Sequence, residues 1–442
     1  MEKQPVEGQV ESQKFQAPRG TSDFFGKEKR LRDSVLTKLK NAFELYGFEP
    51  LETPAFENYE VLSAKFAGGE EILKETYCFN DQGGRKLGLR YDFTVPLARF
   101  FAGNPNLPKP FKRYALGTVW RDGPLKVGRY REFVQCDVDT IGVSSVAADA
   151  EMLALACSAL SSIGIPFLIK VNNRKLLNSM LSKAGVPAEK QLSAILSLDK
   201  LEKIGWQGVE KELLEKGSCT PQQSIEIKRL FSLNDLQGEL ASFDGASELS
   251  ELLSICEKMG VARFVKFSPS LARGLNYYTG SIFEATVENG EKLGITSSIA
   301  AGGRYDEMVG DFLKQAGGRE EKIPAVGISF GLSVLCDVLA RMQGEAEAKN
   351  ISSVKAFVIP IAGEQEAFAI VQRLRSAGIP SAIDLIGRGI SKNLEYASKQ
   401  GIAYAVFIGP QEAKLGKVKL RDLRSGEEKI VSANELVDLL KR

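Results

Sequence analysis

From Arg129 to Asp139 the chain reads Arg-Tyr-Arg-Glu-Phe-Val-Gln-Cys-Asp-Val-Asp, and every second residue carries a group able to hold a charged or planar ligand. Successive side chains of an extended strand point to opposite faces, so Arg129, Arg131, Phe133, Gln135, Asp137 and Asp139 share one face. Tyr130, Val134, Cys136 and Val138 share the other, which is apolar and packs. The first face sets two cations, an aromatic plate, an amide and two carboxylates in a row. A wet antiparallel face is the plain alternative. Upstream, Arg121 shares a face with Ala115, Gly117 and Val119, small residues that leave room for a ligand above a sheet. Gly123 and Pro124 open the loop between the two runs, which read as paired strands.

Two further stretches carry comparable chemistry. Leu87 to Pro96 reads as a strand with Arg90, Asp92 and Thr94 on one face and Leu89, Tyr91, Phe93 and Val95 on the other. A carboxylate and a hydroxyl two residues apart both accept from an ammonium group, so Asp92 and Thr94 form a candidate clamp for an α-amino end. Arg273 stands before Gly274 in Leu-Ala-Arg-Gly-Leu-Asn-Tyr-Tyr-Thr-Gly, a fixed cation suited to a carboxylate or phosphate. Ala301-Gly302-Gly303-Arg304-Tyr305-Asp306 reads as a tight glycine turn that lets backbone approach a ligand.

Taken together, these segments resemble the class II aminoacyl-tRNA synthetases, and among them the histidyl-tRNA synthetase family. Arg121-Asp122 and Gly128-Arg129-Tyr130-Arg131-Glu132-Phe133 resemble motif 2, and Leu89-Arg90-Tyr91-Asp92-Phe93-Thr94 resembles a segment of the archaeal and eukaryotic histidyl enzymes. Leu271 to Gly280 resembles the signature peptide of the family, with Asn276 where aspartate is usual. Ile323 to Leu335 resembles motif 3, but Val334 stands where an arginine that holds the γ-phosphate is expected.

The resemblance implies ATP and Mg2+ as cofactors, L-histidine and histidine tRNA as substrates, and a homodimer. It implies that Arg121 and Arg273 steady the α-phosphate and carboxylate, that Arg129 holds the distal phosphates and that Phe133 stacks on adenine; Arg121, Arg129 and Arg131, with magnesium, are expected to cover the charge left by Val334. Asp92, Thr94 and Gln135 then take the α-amino group. Asp139 accepts from the imidazole and Tyr278 donates to it, beside Tyr277, and Asp139→Ala is expected to impair activation without harming the fold. A second reading is a non-aminoacylating histidine sensor, such as the regulatory subunit of ATP phosphoribosyltransferase. Val334 favours it; a C-terminal anticodon module opposes it.

These groups need scaffolding, and the periodicity supplies it. Apolar residues at Leu31, Val35, Leu39, Ala42, Phe43 and Tyr46 give an amphipathic helix from Lys27, ended by Gly47. A second helix is expected within 144–163. At 442 residues the chain exceeds one core. The expected fold class is α+β: an antiparallel class II catalytic sheet (17–171 and 266–342) interrupted by a helical insertion (172–265). A polar leader (1–16), a linker (343–353) and an α/β anticodon-binding domain with a largely parallel sheet (354–442) complete it. Ser432 with Glu435 forms a capping box for the last helix.

Composition narrows the chemistry. No apolar run reaches the roughly 18 residues of a membrane span, so no membrane partner is expected and the cytoplasm is the expected compartment. The nearest cysteines, Cys136 and Cys157, are 21 residues apart, so no paired metal or redox motif is read and no metal ligands are assigned. The net charge of +2 gives no global basic field. The chain has no histidine, which removes His-based triads, bases and ligands. It also suits a protein made when histidine is scarce, with chance loss as the alternative.

Overall fold

The computed structural model describes the chain except residues 1–14, 65–72, 105, 126–128, 274–276, 296, 316, 319–320, 348–351, 362–363 and 442. The loop residues Lys126 to Gly128, the signature residues Gly274 to Asn276, most of the leader and part of the linker therefore lie outside the described residues. The described chain divides into two compact units, one running to Met342 and the other from Gln343, with Phe25–Arg30 grouped with the second.

In the first unit the strands are β1 (Glu49–Pro50), β2 (Phe56–Asn58), β3 (Cys78–Asn80), β4 (Lys86–Leu89), β5 (Phe111–Trp120) and β6 (Glu132–Ile141), followed by β7 (Phe167–Asn173), β8 (Val265–Phe267), β9 (Ser281–Val287), β10 (Ala300–Arg304) and β11 (Ala325–Gly331). Eight of them form one sheet in the order β1-β5-β6-β11-β10-β9-β7-β8, and β2-β4-β3 form a small separate one. The large sheet is antiparallel except at its ends, where β1 pairs with β5 and β7 with β8 in parallel. Alternation in β5 and β6 sends Tyr114, Cys136 and Val138 into the core with Val35, Leu39 and Phe43 of helix Gly26–Leu45.

Helix Val146–Ile163 covers the same face. The Ser145 hydroxyl caps its start by accepting from Ala147 N–H, and Gly164, at φ 89°, ends it in the left-handed conformation that glycine adopts without strain. It is long and apolar enough to cross a membrane, but most of it is buried inside this unit, as a core helix is.

Helices between Arg174 and Lys258 follow β7. Their apolar residues, among them Leu177, Ile195, Leu213 and Leu252, belong to the same continuous cluster as Val138, Phe283 and Phe330 of the sheet. The helical segment is thus a layer on the sheet, sharing one core with it.

Two expectations change. Leu87 to Pro96 is strand only to Leu89, and a helix, Thr94–Ala102, begins within it. Asp92 Oδ1 accepts from Val95 N–H at 3.1 Å, and Pro96 falls in the first helical turn, where a missing N–H costs nothing. Gly302 and Gly303 lie in β10, a central strand, and make no turn. A Cβ on Gly302 would sit 2.1 Å from the Gly327 carbonyl oxygen, and one on Gly303 2.7 Å from the Tyr278 ring. Those glycines admit neighbouring protein, not ligand.

In the second unit β12 (Ala356–Pro360), β13 (Ser381–Ile383), β14 (Tyr404–Ile408), β15 (Lys417–Asp422) and β16 (Glu428–Ser432) order as β13-β12-β14-β15-β16. Only the first three are parallel; β15 and β16 add an antiparallel hairpin, so the sheet is mixed where a largely parallel one was expected. Ala356 and Val358 pack under helices Glu364–Ser376 and Ala433–Lys441, while Phe357 and Ile359 pack under Ile390–Lys399. Ser432 N–H donates to Glu435 Oε2 at 2.7 Å and Glu435 N–H returns to Ser432 Oγ at 3.3 Å, a complete capping box.

Candidate active site

β5, β6 and β11 lie side by side, so each polar residue of β6 has two cross-strand neighbours. Gln135 lies between Gly117 and Gly331, Asp137 between Ala115 and Ser329, and Asp139 between Arg113 and Gly327. Small neighbours leave space above Gln135 and Asp137. On the β5 side that space is filled: a Cβ on Gly117 would meet the Arg90 guanidinium at 3.0 Å and the Phe93 ring at 3.2 Å. The room expected above Ala115 and Gly117 is therefore occupied, and the opening lies over β6, β11 and β10.

There a cavity of about 330 Å³ is lined by Asp92, Thr94, Arg121, Phe133, Gln135, Asp137, Arg273, Tyr277 and Tyr278, with Tyr91, Ser298, Ile299 and residues of β10 and β11 completing the wall. A second cavity of about 360 Å³ shares Arg121, Phe133, Ser298 and Gly331 with the first and adds Arg129, Tyr130, Ser333 and Val334. Arg121 and Phe133 thus lie where the two cavities meet, with the carboxylates, Gln135 and Arg273 on the first and Arg129 and Val334 on the second.

Arg121 is held by ring faces. Its guanidinium carbon lies 4.2 Å from the centre of Tyr91 and 5.0 Å from that of Phe133, and its Nε donates to the Tyr91 carbonyl at 3.3 Å. Arg273 has φ 37°, a left-handed conformation rare outside glycine. Its Nη1 donates to Glu284 Oε1 at 3.1 Å, and the carboxylate of Asp199, from the helical layer, acts on its charge. Arg129 donates Nη2 to Glu75 Oε1 at 2.5 Å. Arg131 does not line either cavity; it pairs with Asp122 at 3.3 Å.

The carboxylates differ from expectation in one respect. Asp139 is absent from the cavity wall. It pairs with Arg113, directly opposite on β5, at 2.7 Å, and accepts from the Tyr305 hydroxyl. Gly327 beside it has no room for a side chain, since a Cβ there would lie 2.0 Å from Asp139 Oδ1. The carboxylate facing the cavity is Asp137, two residues earlier on the same face. Burial pushes its carboxyl up to about 7 despite the attraction of Arg113, with Asp139 repelling as well. Asp137 Oδ1 and Gln135 Oε1 are buried acceptors without a protein hydrogen-bond partner. Two unpaired acceptors in a cavity wall call for donors from a ligand. Burial likewise raises the Asp92 carboxyl and lifts the Tyr277 and Tyr278 hydroxyls, keeping both phenols protonated.

The structure thus gathers Asp92, Thr94, Arg121, Phe133, Gln135, Arg273, Tyr277 and Tyr278 on one cavity, sets Arg129 on its neighbour and leaves Asp139 behind the wall. Sequence reasoning missed Asp137 and Tyr91. Strand alternation already set Asp137 on the right face; only cross-strand register separates it from Asp139.

Comparison with known proteins agrees along the length of the chain. A family model described as Histidyl-tRNA synthetase matches residues 20–335, and one described as Anticodon binding domain matches 355–442. A histidine–tRNA ligase 1 of Bacillus cereus is 41% identical over 435 residues, covering 95% of this chain and 96% of its own. The crystal structure of histidyl-tRNA synthetase from Nostoc sp. PCC 7120 superposes with TM-score 0.80 at 33% identity, covering 97% of this chain and 99% of that one. A Bacillus halodurans structure titled an ATP phosphoribosyltransferase regulatory subunit/histidyl-tRNA synthetase matches with TM-score 0.70 at 21% identity, covering 89% and 98%, a likeness of fold.

Proposed function

This chain belongs to the histidyl-tRNA synthetase family, and on that premise we propose that the groove over β6, β10 and β11 is where it activates L-histidine with ATP. The protein is an aminoacyl-tRNA synthetase, a histidine–tRNA ligase, whose C-terminal unit matches the anticodon-binding family. The observation that carries the site assignment is the convergence of unpaired acceptors, Gln135 Oε1 and Asp137 Oδ1, with Arg121 and Arg273 on one cavity.

Histidine lies with its ammonium group among Asp92, Thr94 and Gln135 and its imidazole toward Asp137, Tyr277 and Tyr278. A neutral imidazole offers one donor and one acceptor. Asp137 accepts its N–H and a tyrosine hydroxyl donates to the other nitrogen. The histidine carboxylate, steadied by Arg121 and Arg273, attacks the α-phosphate of ATP; the bond to the β-phosphate breaks and pyrophosphate leaves. Adenine stacks on Phe133, and Arg129 takes the distal phosphates. The terminal ribose hydroxyl of histidine tRNA then displaces AMP from the adenylate. Such chemistry needs positioning and charge neutralisation, with no protein nucleophile.

ATP enters as its magnesium complex. The metal comes with the nucleotide; among the described residues no three His, Cys, Asp or Glu side chains converge as a resident metal site. The family resemblance supports a homodimer, and the exposed pair Phe56 and Phe79, with ring centres 6.2 Å apart on the small sheet, offers an apolar surface for it. Sedimentation velocity tests that assembly. The cytoplasm, where tRNA is charged, is the proposed compartment, and all six cysteines are free.

Histidine-dependent ATP–pyrophosphate exchange followed by charging of histidine tRNA tests the assignment as a whole. Histidine binding with neither exchange nor charged tRNA would instead favour the sensor reading that Val334 suggests.

Asp137 adds a pH signature. The carboxylate accepts the N–H in a charge-assisted bond, stronger than one to the carbonyl oxygen of the protonated acid; it forms as pH rises through about 7, and the free imidazole loses its own proton near pH 6.5. The KM for histidine should therefore fall from pH 6 to pH 8 more steeply than imidazole titration alone allows. Asp137→Asn should remove that surplus and raise KM at pH 8 by roughly 30-fold, the value of one hydrogen bond to a charged group. The raised carboxyl has the opposite effect on stability: its contribution is full below about pH 4 and is lost as pH rises through about 7. Titrations of KM and of melting temperature over this range check both signs.

A further inference from the structure

Glu75 lies outside both cavity walls, yet three structural features that shape them end on it. Its Oε1 accepts from Arg129 Nη2 at 2.5 Å, its Oε2 from the Tyr91 hydroxyl at 3.2 Å, and its carbonyl from Asp122 N–H at 2.7 Å. Tyr91 in turn holds Arg121, by ring face and by carbonyl. Gly123 completes the arrangement: a Cβ there would lie 2.7 Å from Glu75 Oε1 and 3.1 Å from Arg129 Nη2, so the loop after β5 passes close over this pair. One oxygen thus sets an arginine of the second cavity and the other sets the tyrosine under the arginine common to both.

We propose that Glu75 is a positioning residue that aims Arg121 and Arg129 together at the polyphosphate. This rests on the reading of the groove as the histidine-activating site. An arginine on a surface loop samples many rotamers, and ordering it costs side-chain entropy. Glu75 grips one nitrogen of the Arg129 fork and leaves Nε and Nη1 for phosphate oxygens, so part of that cost is met before ATP arrives. It touches none of Asp92, Thr94, Gln135 or Asp137, so histidine recognition is not its task.

Pyrophosphate exchange with the full-length protein and its variants tests the proposal, varying ATP and histidine separately. Glu75→Ala should lower kcat/KM for ATP by about a hundredfold, the scale of a small misplacement of reacting groups. Its KM for histidine should stay within about threefold of the parent, since uniform binding of the amino acid is untouched. Glu75→Gln, which keeps polar atoms toward both Arg129 and Tyr91, should recover most of the activity. Tyr91→Phe, which removes only the hydroxyl contact and keeps the ring under Arg121, should fall between the two and serves if Glu75→Ala does not fold. The proposal is overturned if Glu75→Ala matches the parent, if Glu75→Gln is as impaired as Glu75→Ala, or if the loss appears mainly in KM for histidine. A parent protein without histidine-dependent exchange would overturn the reading of the groove itself, and with it this proposal.

Discussion

Arg121→Gln should reduce kcat for histidine-dependent pyrophosphate exchange by about 10² to 10³, the usual loss when one preorganised donor to developing charge is removed. Arg121 is the cation shared by both cavities, and ring faces on two sides together with the Tyr91 carbonyl fix its direction before substrate binds. Glutamine keeps a polar end without the charge or the forked geometry. The loss should therefore fall on kcat more than on KM for histidine, because negative charge at the α-phosphate grows along the reaction path. Steady-state kinetics with each substrate varied, beside a thermal melt matching the parent, make the test. A drop below tenfold would show that Arg121 is not the cation at the reacting phosphate.

Asp139→Ala should act on stability. Asp139 and Arg113 are both almost wholly buried, and Arg113 Nε and Nη1 already lack hydrogen-bond partners. Removing the carboxylate strands a guanidinium inside the sheet, and breaking such a pair costs roughly 3–5 kcal/mol. Replacing both partners by apolar residues, Arg113→Met with Asp139→Leu, should restore much of that loss, since neither charge then remains to be solvated. Denaturant melts of the three proteins check the order. A single Asp139→Ala variant as stable as the parent, with raised KM for histidine, would return Asp139 to the pocket.

Most of the fold was legible because it repeats at periods of 2 and 3.6. The β5–β6 hairpin, helix Val146–Ile163 and the capping box at Ser432 all follow from residue spacing alone. What escaped depends on partners distant in sequence. Tyr91 alternates onto the wrong face only if 87–96 is all strand; the Asp92 contact to Val95 N–H starts a helix and turns Tyr91 into the groove. The choice between Asp137 and Asp139 needed the register of β5, which sets Arg113 opposite one and Ala115 opposite the other. Pairing backward from the loop would have found it, because Trp120 faces Glu132 and each step inward on both strands keeps the count. The glycines of β10 misled for a related reason: their crowding comes from Gly327 and Tyr278, which local sequence does not reveal.

The helices from Arg174 to Lys258 share the sheet's core and reach Arg273 through Asp199. A minimal enzyme made by excising them would lose more than an accessory. The cut would uncover β7 and helix Val146–Ile163, against which these helices pack, and remove the Asp199 carboxylate whose charge acts on Arg273. Changes that loosen this layer should thus register in adenylate formation, before any tRNA is added.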